Sequence, residues 1–391
     1  MTARPRVVLI SNDVVPGSTV PVAAPGLRVA GLAEGLRAHG FDTEVVVVKH
    51  IVSRVWNAHL PIPHAPQTLV LPGQRLMEYL TARRPVVAVM TNSNQIINLH
   101  RAEGVRFVFD FFAPKVLEMI ADGEVRYPLE EVQELRRRKV LALSLADAII
   151  VNGAKKLPYV LAWLLQTDRD ARSVPTAVMP MCVSLEDHRP ARIDGPLHLG
   201  IAGYIQAWST PNEWVRQLDE VLSRPEVVLD VVRPRHWGGV RDGGQSSSDG
   251  LTSLATRPNV RVRDRLMTFS EYREFLAGMD LIVDLFDYNL EREYAMVTRA
   301  VVALAWGVPV VHPPFTEVAP LIDDYEAGWL VDPADPGALQ GVLDEVLDDR
   351  QLLAARTANA QRLATDVFEP ARAVEPLVSI IEQVMPAASE A

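Results

Sequence analysis

EREYAMVTRAVVALAWGVPVVHPPFTE, Glu291 to Glu317, is the stretch that decides the fold. From Met296 to Trp306 only Thr298 and Arg299 break an apolar run. The spacing predicts a helix buried on most of its surface, with both polar residues in its first turn. Gly307 suits the stop of that helix, and Pro309 forbids its continuation. Val308, Val310 and Val311 predict a short strand covered on both faces. The strand ends at His312-Pro313-Pro314, and Thr316 can cap a following helix. A helix with a polar first turn beside such a strand favours an anionic ligand, because its unpaired N–H groups and dipole point there.

The same alternation continues on either side. Leu197–Gly203, Val227–Val232, Asn259–Arg265 and Leu281–Leu285 read as strands, and Gly328–Val331 closes the set before three helical patterns, the last from Ala371 to Met385. The first half carries an independent set. Its strands are Arg6–Ile10, Glu44–Val48, Val86–Met90, Arg106–Asp110 and Ala148–Asn152, with helices from about Gly26 to Gly40 and from Glu130 to Ala146. Residues 57–73, NAHLPIPHAPQTLVLPG, read as a proline-rich surface connection. SLEDHRPARIDGP, Ser184 to Pro196, is polar and proline-bearing, as a linker should be. Strand, loop, helix and strand in that order make each half a doubly wound α/β sheet. The expected organisation is α/β with two Rossmann-like domains, residues 1–187 and 188–370, and a terminal helix in 371–391.

Composition narrows the function. The 391 residues fit two domains of ordinary size, and 48% apolar content supports packed cores. No apolar run approaches the ~20 residues of a membrane span. The N-terminus enters a strand directly and lacks a signal-peptide pattern, so a cytoplasmic protein is expected. A single cysteine, Cys182, excludes an internal disulfide and a cysteine zinc site. The nine histidines form no HExxH and no pair at ligand spacing, so no metal site is expected. His312, at a strand end, is the one to watch. Gly17 and Gly26 are too far apart for G-x-G-x-x-G, which argues against a dinucleotide dehydrogenase. Neither G-x-S-x-G nor a phosphate-binding GxxxxGK[ST] is present.

Residues 1–190 carry 22 basic and 18 acidic side chains, against 17 and 31 in residues 191–391. That balance argues against nucleic acid as a partner. The basic surplus of the first half suits either a solvated surface, an acidic substrate, or peripheral membrane contact through the N-terminal domain. Arg136-Arg137-Arg138-Lys139 is the densest run there.

TRAVVALAWGVPVV, Thr298 to Val311, resembles the donor-site helix and following strand of retaining GT-B glycosyltransferases of the glycogen-synthase-like, family 4-like group. APGLR, Ala24 to Arg28, is similar to the glycine-bearing entry of their first helix. GAKKLPYVLAWLL from Gly153, following the strand Ala148–Asn152, resembles the last strand-helix pair of their first domain, and VMPMCV, Val178 to Val183, the strand leading to their linker. The resemblance implies two domains facing across a cleft, with the acceptor on the first and a nucleotide-diphosphate sugar on the second. The terminal helix would cross back to the first domain. The group's two acidic positions, five and thirteen residues before the glycine, are occupied here by Val302 and Tyr294. Glu291 and Glu293 lie just upstream. The loop that commonly supplies an arginine and a lysine to the diphosphate reads Tyr204-Ile205-Gln206-Ala207-Trp208.

Site expectations follow. A departing diphosphate needs fixed positive groups. Arg299, in the first turn of the key helix, is the catalytic candidate, with Arg233 and Arg265 as weaker ones; a buried salt bridge to Glu291 or Glu293 is the structural alternative for Arg299. Tyr204, Gln206, Glu291, Glu293, Thr298 and Glu317 complete the donor side. Glu317 would replace the missing carboxylate at Val302, which otherwise fills core. Sheet ends place Asn92, Asn94 and Asp110 on the acceptor side, although Asp110 could simply cap the helix from Lys115. Gly26 would let backbone approach a ligand, with Arg28 one turn inside; a plain turn glycine and a surface arginine are the alternative. The expected activity is metal-independent transfer of a sugar from a nucleotide sugar to a hydroxyl acceptor, without a cofactor. A non-catalytic partner of the same fold, or a nucleotide-sugar epimerase, are the runners-up.

Overall fold

The computed structural model describes residues 4–17, 21–49, 68–121, 127–185, 191–202, 214–232, 254–263, 265 and 267–385. The chain divides into two compact units. One comprises Met1–Val116, Tyr127–Ser184 and Val367–Ala391, the other Leu117–Arg126 and Leu185–Asp366.

The first unit is built on seven parallel strands: β1 (Arg6–Ser11), β2 (Thr43–Val48), β3 (Thr68–Leu71), β4 (Val86–Met90), β5 (Val105–Phe111), β6 (Ala148–Val151) and β7 (Thr176–Val178). Their spatial order is β3-β2-β1-β4-β5-β6-β7, with Leu9 paired to Val45 on one side and Val89 on the other. Alternate residues feed two cores, since side chains switch faces at every step. Val7, Leu9, Val45 and Val89 meet the helix Ala24–Ala38 and the terminal helix Glu375–Val384 through Leu32, Leu36, Leu377 and Ile381. Val8, Ile10, Val46 and Met90 meet the opposite layer through Leu80, Leu143 and Leu164. Burial on both faces explains why these strands read as continuous apolar runs. Two sequence expectations fail here. Thr68–Leu71, within the supposed surface connection, is an edge strand paired to β2, and residues 57–67 lie outside the described residues. The strand expected at Val178–Val183 ends at Val178.

The second unit carries β8 (Leu197–Ile201), β9 (Val227–Val232), β10 (Val260–Arg263), β11 (Leu281–Val283), β12 (Val310–His312) and β13 (Gly328–Leu330). The order β10-β9-β8-β11-β12-β13 is the doubly wound Rossmann order, reversing direction between β8 and β11. The helix Thr298–Ala305 is buried at every residue from Ala300 to Ala305, as its composition requires. It stops because Gly307 has φ of +71°, a left-handed conformation that glycine adopts without strain.

Candidate functional site

Ligands of open parallel sheets bind beyond the carboxyl ends of the strands. In the second unit β11 delivers Asp284 to that edge and β12 ends on His312, while the helix between them begins with Thr298 and Arg299. Arg299 is bonded through Nε to Asp284 Oδ1. Oδ2 of the same carboxylate lies 3.1 Å from His312 Nδ1, and His312 Nε2 lies 2.8 Å from Thr316 Oγ1. Asp284, His312 and Thr316 are all buried. The carboxylate beside Nδ1 favours a proton on that nitrogen, leaving Nε2 to accept from the threonine hydroxyl. Burial alone would raise the Asp284 pKa, but the Arg299 charge and the His312 contact outweigh it and hold the group at about 2.

An aromatic floor supports this cluster. The Phe286 ring lies 5.3 Å from the Arg299 guanidinium and 5.6 Å, edge-on, from the His312 ring. Phe315 stands edge-on to both Phe286 and Tyr288. Glu291 is buried and paired with Arg292, and Glu293 accepts the Tyr288 hydroxyl at 2.7 Å. Glu317, also buried, has its backbone N–H bonded to the Ala295 carbonyl at 3.1 Å, tying the segment after β12 to the entry of the key helix.

Arg299, Glu291, Glu293, Thr298 and Glu317 thus share one edge. The partner of Arg299 is neither Glu291 nor Glu293 but Asp284, which the sequence reading missed. A lone acid in Leu281-Ile282-Val283-Asp284-Leu285-Phe286 was the available signal, since a buried carboxylate needs a cation. Thr316 does not cap a helix; the next helix, Ala319–Asp324, has no side-chain cap, and the hydroxyl serves His312 instead. Arg265 is exposed and pairs with Glu271 at 2.7 Å, and among the described residues no ion pair connects it to the cluster. Tyr204, Gln206 and Arg233 lie outside the described residues.

In the first unit Arg28 and Asp110 correct the expectation that they face a ligand. Both are fully buried, and Arg28 holds Asp110 in a two-bonded pair at 2.9 and 3.2 Å. Gly26 admits backbone rather than ligand, because a Cβ there would lie 1.8 Å from the Val14 carbonyl oxygen. Asn92 caps its own segment by accepting the Asn94 N–H at 2.9 Å, and Asn94 bonds Asn12. A residue not anticipated is Asp13, just beyond β1. It is buried, accepts the N–H groups of Val14 and Ala23 at 2.8 and 2.7 Å, and is pushed by burial to about 7.

Two open parallel sheets of this order, the second with the Asp284–Arg299–His312 cluster at its carboxyl edge, define the class by architecture: the chain has the fold of GT-B glycosyltransferases. The particular likenesses agree. A D-inositol 3-phosphate glycosyltransferase of Streptomyces avermitilis is 26% identical over 368 residues, covering 87% of this chain and 71% of that protein. The sucrose-phosphate synthase structure of Thermosynechococcus elongatus matches with a TM-score of 0.69 at 16% identity, over 97% of this chain and 99% of that one. Anabaena HepE in complex with UDP and glucose matches at 0.65 and 14%, over 97% and 100%. No protein-family model matches the chain.

Proposed function

We propose that this protein moves a glycosyl group from a nucleoside-diphosphate sugar to a hydroxyl acceptor with retention of configuration, the second unit holding the donor and the first the acceptor. The observation that carries the reading is Arg299, fixed by Asp284 and laid against Phe286 at the carboxyl edge of a Rossmann-like sheet. Its Nε is engaged, but the side chain is still 20% exposed. A guanidinium held in place offers its outer N–H groups to the diphosphate as negative charge grows there, with no reorganisation at the moment of reaction. Val302, buried in the core, cannot accept ribose hydroxyls. We assign that task to Glu317 on the same edge. HepE was solved with UDP and with UDP-glucose, which makes these the first donors to try.

The test is turnover of UDP-glucose by the full chain against a panel of sugar, polyol and lipid-linked acceptors, followed by the anomeric configuration of the product. The reading expects UDP release that depends on acceptor and a product with the donor's configuration. Arg299→Lys keeps a charge for Asp284 but loses the planar fork, and should slow turnover by about a hundredfold. UDP release without acceptor, or a free epimer, would favour the epimerase. Binding without any turnover would favour the non-catalytic partner, a reading to which the missing acids at Val302 and Tyr294 already lend weight.

A further inference from the structure

A pocket of about 350 Å³ lies at the opposite edge of the second sheet, where β11 and β12 begin. The helix Phe269–Ala277 walls one side, and Leu353 and Thr357, one turn apart on Arg350–Leu363, wall another. Trp306, Met279 and Leu353 supply an apolar lining. Donors without an acceptor stand around it. The Trp306 indole N–H is buried without an acceptor, and Thr357, 7% exposed, places a hydroxyl-bearing side chain in the same lining. Behind the wall the Arg350 Nε is a further buried donor with no acceptor. Such orphans call for an explanation, because each is costly to leave unmet.

The charge points the same way. Arg192 and Arg350 converge on the single carboxylate of Asp280, at 2.8 and 3.8 Å, which leaves a local positive excess. Arg273, whose guanidinium lies 5.9 Å from the Trp306 ring, and Glu274 also line the pocket, so three guanidiniums stand against two carboxylates, and Glu274 sets a limit by repelling a dianion. Surplus donors, a net positive wall and an aromatic lining together select a small molecule with one negative charge and an apolar ring; the volume lies within the usual range for such sites.

The pocket is also connected. Trp306 closes the helix whose first turn carries Arg299. The Tyr272 ring lies 6.3 Å from that of Trp306, and its buried hydroxyl, raised by burial, feels the charges of both Asp284 and Arg299. We propose that this pocket is a second small-molecule site for a compact monoanion bearing an apolar ring, and that filling it alters nucleotide affinity through Trp306 and its helix. The coupling rests on the donor reading above; the binding does not.

Benzoate is the probe, benzyl alcohol the uncharged control, and calorimetry on the full chain the measurement. Saturable benzoate binding is expected, absent for benzyl alcohol and weakened at least about tenfold by Arg192→Gln, as for loss of a charge-assisted bond. Because Arg192 also holds Asp280, Thr357→Val is the second variant, chosen to keep the fold. No saturable benzoate binding, or equal binding by the parent and both folded variants, overturns the site. Saturating benzoate should shift UDP affinity by about fivefold or more. UDP binding indifferent to benzoate overturns the coupling. Benzoate binding in a protein that never binds UDP strikes the donor reading and leaves the site standing.

Discussion

Asp284 serves two partners with one charge. It neutralises Arg299 and orients His312, so neither arginine nor histidine can be altered as an isolated surface group. Arg299→Ala would leave a buried carboxylate without its cation and confuse binding with folding, which is why lysine is the cleaner probe. Asp284→Asn is expected to cost about 3 kcal/mol of stability, and Asp284→Asn combined with Arg299→Met should recover most of it. Denaturant unfolding of the two single variants, the double variant and the parent measures the coupling; additive losses would mean the pair contributes nothing jointly. Its pH sign is that of a depressed acid: the contribution is present above 3.8 and is lost as pH falls through about 2.

Asp13 has the opposite sign. Its folded pKa of about 7 lies above the ordinary 3.8, so ionisation opposes folding. The cost is absent below 3.8, grows as pH rises and is complete above about 7. The melting temperature of the parent relative to Asp13→Asn should therefore fall between pH 5 and 8; a constant difference would show that Asp13 does not titrate there. Neither aspartate was singled out from sequence, although the lone acid in an apolar run was a signal for Asp284. Asp284 was hidden inside an expected strand, Leu281–Leu285, whose β-structure in fact stops at Val283. Asp13 sits in a loop that folds back on itself, the Ala23 N–H ten residues on bonding its carboxylate, and no local pattern announces that closure.

At the level of elements, the stretch Thr298 to His312 was read well because each boundary has a local cause. The helix stops where glycine is required, and the strand begins after a proline. Gly307→Ala should cost about 1–2 kcal/mol for the left-handed backbone, with the flexible Gln361 side chain moving aside from a contact of 2.8 Å. An unchanged melting temperature would mean that the turn relaxes to another conformation. Elements set by distant partners were less legible. Thr68–Leu71 becomes a strand only because β2 offers it an edge, and nothing in QTLVLPG announces that. Thr316 looked like a cap, since sequence places it before a helix, but the buried ring of His312 claims its hydroxyl. Arg28 and Asp110, 82 residues apart, each looked available until the fold brought them together.

For the whole molecule, the two sheets were foreseeable because parallel strands buried on both faces leave unbroken apolar runs in sequence. The chemistry was legible only in part. The acidic positions that would have announced a donor site are Val302 and Tyr294, and the group found at that edge instead, Asp284 with Arg299, His312 and Thr316, is joined from three elements. The central claim is that this edge holds a nucleoside diphosphate. Titration calorimetry of the full chain with UDP, then GDP, ADP and dTDP, is the most direct measurement, with Arg299→Lys alongside. At least one nucleotide should bind saturably, and the lysine variant should bind it about tenfold more weakly or worse. Absence of binding by all four, or equal affinities in the parent and a folded Arg299→Lys variant, would contradict it.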